Sequence, residues 1–401
     1  MIPRGTPDIT WRDLLAGLRD CLAPPAEPAA RAAAEAASGH PGALACLSVR
    51  SGLDLTLQAL RLPPGSEVIV SAVTIPDMVR VLEHHGLVPV PVDLDMERLA
   101  VDAAAVERAV TPRSRALLVA HLFGSRMELD GLADLARRRG LLLLEDCAQA
   151  YDGRYGGHPA SDVVLFSFGP IKTSTALGGA VALFRDPALL AGVRALQGQY
   201  PLQPSGPYLR RVLRFVALKG LARPWAYAAL VALCRRAGRS HDQLVGGLLR
   251  GFPGPDLIPR LRYRPCAPLL AMLARRLRRP PEASVRRRVA VAEAVMAALP
   301  GAAFAGAAAD KHTHWALPLV CADPEALARR LWAAGIDASR SASTLAVVEA
   351  PPGRQPAAQA EAAMGRLLYL PLHGALRGRA LRRLAQTVAV YEGERVAVDD
   401  S

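Results

Sequence analysis

Leu141-Leu142-Leu143-Leu144-Glu145-Asp146-Cys147-Ala148-Gln149-Ala150 reads as a short apolar strand that runs into two carboxylates. A second apolar run, Val163-Val164-Leu165-Phe166, leads into Ser167-Phe168-Gly169-Pro170-Ile171-Lys172. Both put polar groups at a strand end. The same rhythm continues outward in both directions. Upstream, residues 51–62 have helical spacing, with Leu53, Leu57 and Leu60 on one face and Ser51-Gly52 at the expected start. A turn at Pro63-Pro64-Gly65 precedes the β-branched run Val68-Ile69-Val70. Helices are expected at 76–86, 102–109 and 128–139, and strands at 87–92, 116–120, 141–144, 162–166 and 179–184. Two prolines in 87–92 suit an edge position. Short, wholly apolar strands alternating with helices specify an α/β fold: a mostly parallel central sheet with helices on both faces. Ligands of such sheets gather beyond the carboxyl ends of the strands.

At 401 residues the chain has room for a large domain and a smaller one. The expected division is an N-terminal helical arm at 1–45, a large domain at 46–200, an apolar and basic insertion at 201–260, and a small α+β domain at 261–401. The last is read from helices at 284–299, 324–334 and 377–390 and a strand at 315–321. Apolar residues make up 51% and charged residues 21%, a globular balance that excludes wholesale disorder.

The net charge is +13, yet only three of the 49 basic residues are lysines, Lys172, Lys219 and Lys311. An arginine-rich composition of this kind makes the charge a weak pointer to a partner. The arginine clusters at 137–139, 275–276 and 286–288 lack the aromatic residues of a single-strand platform, so no nucleic-acid partner is expected. The six cysteines contain no CxxC pair, and His84-His85 and His312-x-His314 have no third ligand nearby. No metal is expected, and the cysteines read as reduced thiols. Residues 1–6 lack an apolar signal segment and no clean run of about 18 apolar residues occurs, so the expected location is cytoplasmic.

Lys172 carries the first chemical signal. Arginine serves as a surface charge, but it cannot form a Schiff base, so a lysine kept at a strand end suggests imine chemistry. Asp146 carries the second, because a carboxylate at the buried end of a strand needs a cationic or hydrogen-bonding partner. The pyridinium nitrogen of pyridoxal 5'-phosphate (PLP) is such a partner, and the pairing makes the ring an electron sink. Ser51-Gly52-Leu53 is a third and weaker signal, a helix start whose free backbone N–H groups suit phosphate. The combination is what points to PLP.

Through these motifs the sequence resembles the DegT/StrS family of PLP-dependent sugar aminotransferases, of the aspartate-aminotransferase fold (fold type I). The resemblance rests on Ser51-Gly52-Leu53 for S-G-T, 65–70 for G-D-E-V-I-V, 92–95 for V-D-x-D, 121–124 for H-L-F-G, 145–150 for E-D-C-A-Q-A, and Ser167 to Lys172 for S-F-x-x-x-K. It is clear over 45–185 and weaker over 260–390. It implies that Lys172 holds the cofactor and moves a proton, that Asp146 binds the pyridine nitrogen, and that Gly52, Leu53 and Ser167 bind phosphate. Gln149 would lie near the ring hydroxyl. The family's partner-subunit N-x-R reads here as Arg262-Tyr263-Arg264, and Ile75 stands where an aromatic usually stacks on the ring. A homodimer with shared active sites is implied, with glutamate as amino donor and a keto sugar as acceptor.

Residues 205–250 are longer and more apolar than the family pattern. Residues 215–234 are apolar but contain Lys219, Arg223 and Pro224, and arginines flank them. Pro224 should break a helix, and Trp225 and Tyr227 favour a membrane interface. The segment 208–236 reads either as a peripheral contact with anionic membrane at the inner face, or as a helical pair at the dimer interface or over the active site. In the first case the expected acceptor is a lipid-linked or otherwise amphipathic carbonyl compound. Two alternatives remain beside an aminotransferase: a catalytically silent PLP-binding or membrane-associated regulatory protein, and a PLP lyase on the same fold.

Overall fold

A computed structural model describes residues 1–242, 244, 256–340 and 343–399, with side chains through residue 392. Of the expected insertion at 201–260, residues 243 and 245–255 lie outside the described residues.

The main sheet has seven strands: β1 (Ala43–Cys46), β2 (Glu67–Ser71), β3 (Val88–Val92), β4 (Ser114–Ala120), β5 (Leu142–Asp146), β6 (Val163–Ser167) and β7 (Ala180–Phe184). Their order across the sheet is β1-β7-β6-β5-β4-β2-β3. Strands β3, β2, β4, β5 and β6 run parallel, and β7 runs antiparallel to both β6 and β1. This is the α/β sheet that the apolar runs specify. Strand β3, with Pro89 and Pro91, takes an edge, where a missing N–H leaves no central ladder bond unmade. Strand β1 straddles the expected boundary at residue 45 and forms the opposite edge.

Register fixes the site. Ala120 pairs with Asp146, and Asp146 with Leu165, so the carboxyl ends of β4, β5 and β6 lie side by side. Alternation along β5 sends Glu145 and Asp146 to opposite faces.

The helix expected at 51–62 spans Val49–Leu60, and its N-cap is Ser48, whose hydroxyl accepts from the Ser51 N–H. Its start is therefore earlier than Ser51-Gly52. The apolar spacing of Leu53, Leu57 and Leu60 extends back to Val49, which is also buried. Gly52 lies inside the helix, where its N–H bonds the Ser48 carbonyl. A Cβ there would meet Leu165 Cδ2 at 3.2 Å and Ala182 Cβ at 3.6 Å, so this glycine brings the helix close onto β6 and β7.

The smaller unit pairs Leu317–Val320 with Leu367–Leu370, antiparallel, under helices Pro324–Ala333 and Arg379–Asp399. Leu317, Leu327, Leu331, Leu368 and Leu384 close its core. Helices Trp11–Leu22 and Glu27–Ala37 pack with Ala267–Leu277 and with Ser205–Leu221, through Leu14, Ala34, Leu270, Met272 and Phe215. The segment before them adds a parallel bridge from Ile2 to Ile336, which ties the N-terminus to the small unit.

Candidate active site

Beyond the strand ends lies a cavity of about 890 Å³. Asp146 and Gln149 from the end of β5, Ser167 and Lys172 after β6, and Ile75 after β2 all line it. Its other walls come from the start of the helix at Ser48, from residues 3–8, from Arg288 and Trp315, and from the helices of 205–236.

Lys172 sits in a loop held from three directions. The Asp8 carboxylate accepts from the Ser174 N–H at 2.8 Å. Arg211 donates to the Leu177 carbonyl at 2.8 Å. The Trp315 indole N–H donates to the Ile171 carbonyl at 2.9 Å, and its ring lies 4.3 Å from Lys172 Nζ. Gly178 has φ +158, and a Cβ there would meet Arg211 Nη1 at 2.7 Å. This is a position that only glycine suits while Arg211 is seated. Burial pushes the Lys172 amine down to about 8, with Arg50 acting the same way and Asp146 opposing. At neutral pH an appreciable fraction is therefore unprotonated and nucleophilic.

Asp146 is 7% exposed. One of its oxygens accepts from the Ala148 N–H at 2.9 Å. Burial raises its pKa, against that hydrogen bond and the charges of Lys172, His121 and Arg50. A buried carboxyl of this kind gains from a nearby cationic ring.

Glu145, on the opposite face of β5, is a fully buried hub. It accepts from Tyr155 Oη at 2.7 Å, from the His158 N–H at 2.6 Å and from Ser161 Oγ at 2.5 Å, and it lies 3.0 Å from His121 Nε2. Burial alone would raise its pKa, but the His121 hydrogen bond and these donors hold it down at about 2. The Met127 N–H donates to His121 Nδ1 at 3.2 Å, which leaves Nε2 as the protonated nitrogen facing Glu145. His121, Glu145 and Cys147 have atoms close enough to share an ion. Both ring nitrogens of His121 are already used, and the cluster acts as a hydrogen-bonded support beneath the cavity floor.

Two residues expected to hold phosphate sit away from the cavity wall. Gly52 and Leu53 do not line the cavity; Leu53 is fully buried in the core with Leu44 and Leu165. The helix start that does face the cavity is Ser48-Val49-Arg50. Arg50 supplies a guanidinium there, paired with Asp77 at 3.0 Å. The signal for it was the N-cap serine one turn upstream of the expected start. Arg262 is also outside this chain's cavity. Its guanidinium holds Asp54 at 3.0 and 3.1 Å.

Sequence reasoning also passed over Arg288, which donates to the Thr313 carbonyl at 2.9 Å and to Thr173 Oγ1 at 3.2 Å, and whose pKa burial lowers to about 10. Nothing local marks it, since it sits in a run of three arginines and only the fold turns it inward.

The residues present fit PLP. An amine and a buried carboxylate face one cavity, and a helix start with an arginine offers an anion site in the same cavity. Comparison with known proteins agrees. Residues 30–203 match the DegT/DnrJ/EryC1/StrS aminotransferase family. It is a family of PLP-dependent aminotransferases.

Over 159 residues the chain is 42% identical to the erythromycin biosynthesis sensory transduction protein EryC1 of Saccharopolyspora erythraea. That match spans 38% of this chain and 43% of the relative, less than half of either. Among solved structures, the aminotransferase TlmJ of Streptoalloteichus hindustanus superposes with a TM-score of 0.70 over 99% of this chain and all of its own, at 22% identity. DesV of S. venezuelae, solved with a ketimine intermediate, gives 0.68 over 95% and 94% at 25% identity. The likeness to TlmJ shows that the whole described chain, small unit included, shares one fold.

Proposed function

We propose that the protein is a PLP-dependent aminotransferase that moves an amino group from an amino acid donor, glutamate, to a keto sugar or a sugar-derived carbonyl acceptor. The observation that carries this reading is the pairing of a Lys172 amine, its pKa lowered to about 8, with the buried carboxyl of Asp146 in one cavity.

PLP, when bound, supplies an electron sink that makes a hydrogen next to the amine acidic. The chain's residues do the rest. Lys172 Nζ, an appreciable fraction of it unprotonated, would be the amine that holds the cofactor, and the same amine, when free, would be placed to carry a proton. Asp146 would face the cofactor's ring nitrogen. The Ser48-Val49-Arg50 helix start and Ser167 would hold its phosphate. Gln149 is oriented by the Phe123 N–H, which donates to its Oε1 at 2.7 Å, and would lie near the ring hydroxyl. Arg288 is a cation available to a donor carboxylate. The described strap of residues 3–8 covers this chemistry and limits water.

A homodimer is part of the proposal. Arg262, held by Asp54 outside its own cavity, is the residue offered to the partner's site. We place the protein in the cytoplasm, where its six unpaired cysteines stay reduced. A second reading, PLP binding without turnover, has one observation in its favour: Leu53 stands where the family pattern has threonine, and it is fully buried away from the cavity.

The test is the visible spectrum of purified protein with PLP, before and after glutamate, beside Lys172→Ala. A band that bleaches with glutamate in the wild type alone supports aminotransfer. A stable band that glutamate leaves unchanged favours the silent reading, and no band at all removes both.

A further inference from the structure

The segment 205–236 forms two helices, Ser205–Leu221 and Pro224–Arg236, bent by 103° at a short break. Pro224 is the first residue of the second helix, where its missing N–H is harmless. Among the described residues no single helix is long and apolar enough to cross a membrane.

The pair has two faces. Its inner face packs: Tyr208, Val212, Phe215, Tyr227, Val231 and Cys234 are buried. Tyr227, expected at a membrane interface, instead donates from its hydroxyl to Asp337 at 2.6 Å. Phe215, Leu218, Leu221 and Leu230 on this side wall the Lys172 cavity. The outer face reverses the usual surface rule. Leu213 is 51% exposed, Trp225 72% and Leu233 64%. Exposed arginines, 210, 214, 223, 235 and 236, stand among them. No Asp or Glu occurs between Asp186 and Asp242.

We infer that this outer face docks on an anionic lipid bilayer, lying in the interface rather than crossing it. A large aromatic and two leucines held in water beside exposed arginines, in a stretch of sequence with no acidic residue, match a surface that offers acyl chains and anionic headgroups together. Charge argues against a second copy of the chain as occupant. A two-fold interface uses the same patch on both copies, and a stretch with arginines and no acid offers its copy no opposite charge. A nucleic-acid backbone answers the arginines but leaves Trp225 and the leucines in water. Docking sets the wall of the Lys172 cavity against the bilayer, on the side from which an acceptor carried on lipid arrives.

The experiment uses the full chain loaded with PLP, floated with phosphatidylcholine vesicles with and without phosphatidylglycerol. The expected result is flotation only with the anionic vesicles, reversed by high salt, with a blue shift of tryptophan emission that Trp225→Phe removes. Leu213→Ser/Trp225→Ala abolishes flotation, and each charge removed in Arg214→Gln/Arg235→Gln/Arg236→Gln lowers vesicle affinity about fivefold. All these positions are exposed, and circular dichroism and the PLP spectrum check folding. The inference is overturned by absence of flotation, by equal flotation of the variants, by retention on duplex DNA without vesicle binding, or by variants that change only the dimer mass. None of these readouts needs aminotransfer, so failure of docking and failure of the proposed reaction are told apart.

Discussion

The floor of the cavity and its wall are built in opposite ways. The floor is local: Asp146 and Ser167 are terminal residues of β5 and β6, Lys172 follows in the next loop, and the ladder sets them side by side. The wall is assembled from residues far apart in sequence, the strap at 3–8, the bent pair at 205–236, and Arg288 with Trp315. The floor's chemistry is tied to the reaction and its spacing is short. In the proposed reading the wall's chemistry is tied to the acceptor. A change in the floor should therefore stop all turnover, whereas a change in the wall should act on one substrate.

The largest expected effect is at Lys172. Lys172→Ala should lower aminotransfer by about 10⁴-fold in both half-reactions, since nucleophile and proton carrier leave together. In the wild type the rate of PLP capture should rise with pH through about 8, as the amine loses its proton. Stopped-flow absorbance reads this, and a flat profile from pH 7 to 9 contradicts the lowered pKa.

Glu145 comes next and tests the support below the floor. Its carboxyl titrates near 2 in the fold and near 4.5 when unfolded. A depressed carboxylate stabilises above the unfolded value, and that contribution is lost as pH falls from about 4.5 toward 2. Glu145→Gln should cost about 3 kcal/mol at pH 7, and its stability should fall less steeply with acid. Denaturant melts at pH 7 and pH 3 measure both.

Arg50 and Gly52 separate ligand binding from packing. Arg50→Ala should weaken PLP binding about tenfold or more, by loss of a charge-assisted bond. Gly52→Ala should leave PLP affinity intact and cost about 1 kcal/mol, because the new methyl meets Leu165. Equal loss of affinity in both would return the phosphate to Gly52. The smallest effect is expected at the wall: Leu218→Ala should raise the acceptor KM a few-fold and leave the glutamate half-reaction unchanged, in single-turnover measurements of each half.

The sheet and the reactive pair were legible because both depend on short-range pattern. Four leucines between Gly140 and Glu145-Asp146 are too short a run for a helix and read as a buried strand, and a strand end is where such a sheet exposes polar groups. The start of the Val49–Leu60 helix was misplaced by a motif match. Ser51-Gly52 looks like a helix start, yet Ser48 makes the capping hydrogen bond, and Gly52 is required by the approach of Leu165 and Ala182 from other strands. No local pattern contains that contact. Trp225 and Tyr227 make the same point within one turn of helix: alike in type, one is 72% exposed and the other 5%, bonded to Asp337 far along the chain.

What this sequence determined alone was its α/β sheet, the lysine and aspartate that face one cavity, and a long stretch without acid. Hydrophobic period, chain chemistry and net charge are sums over neighbours, and they survive without coordinates. Only the tertiary structure decided which helix turn meets the cavity, which arginines point inward, and which face of the bent pair is wet. Those depend on what arrives from elsewhere in the chain, and side-chain direction is fixed by packing rather than by residue type.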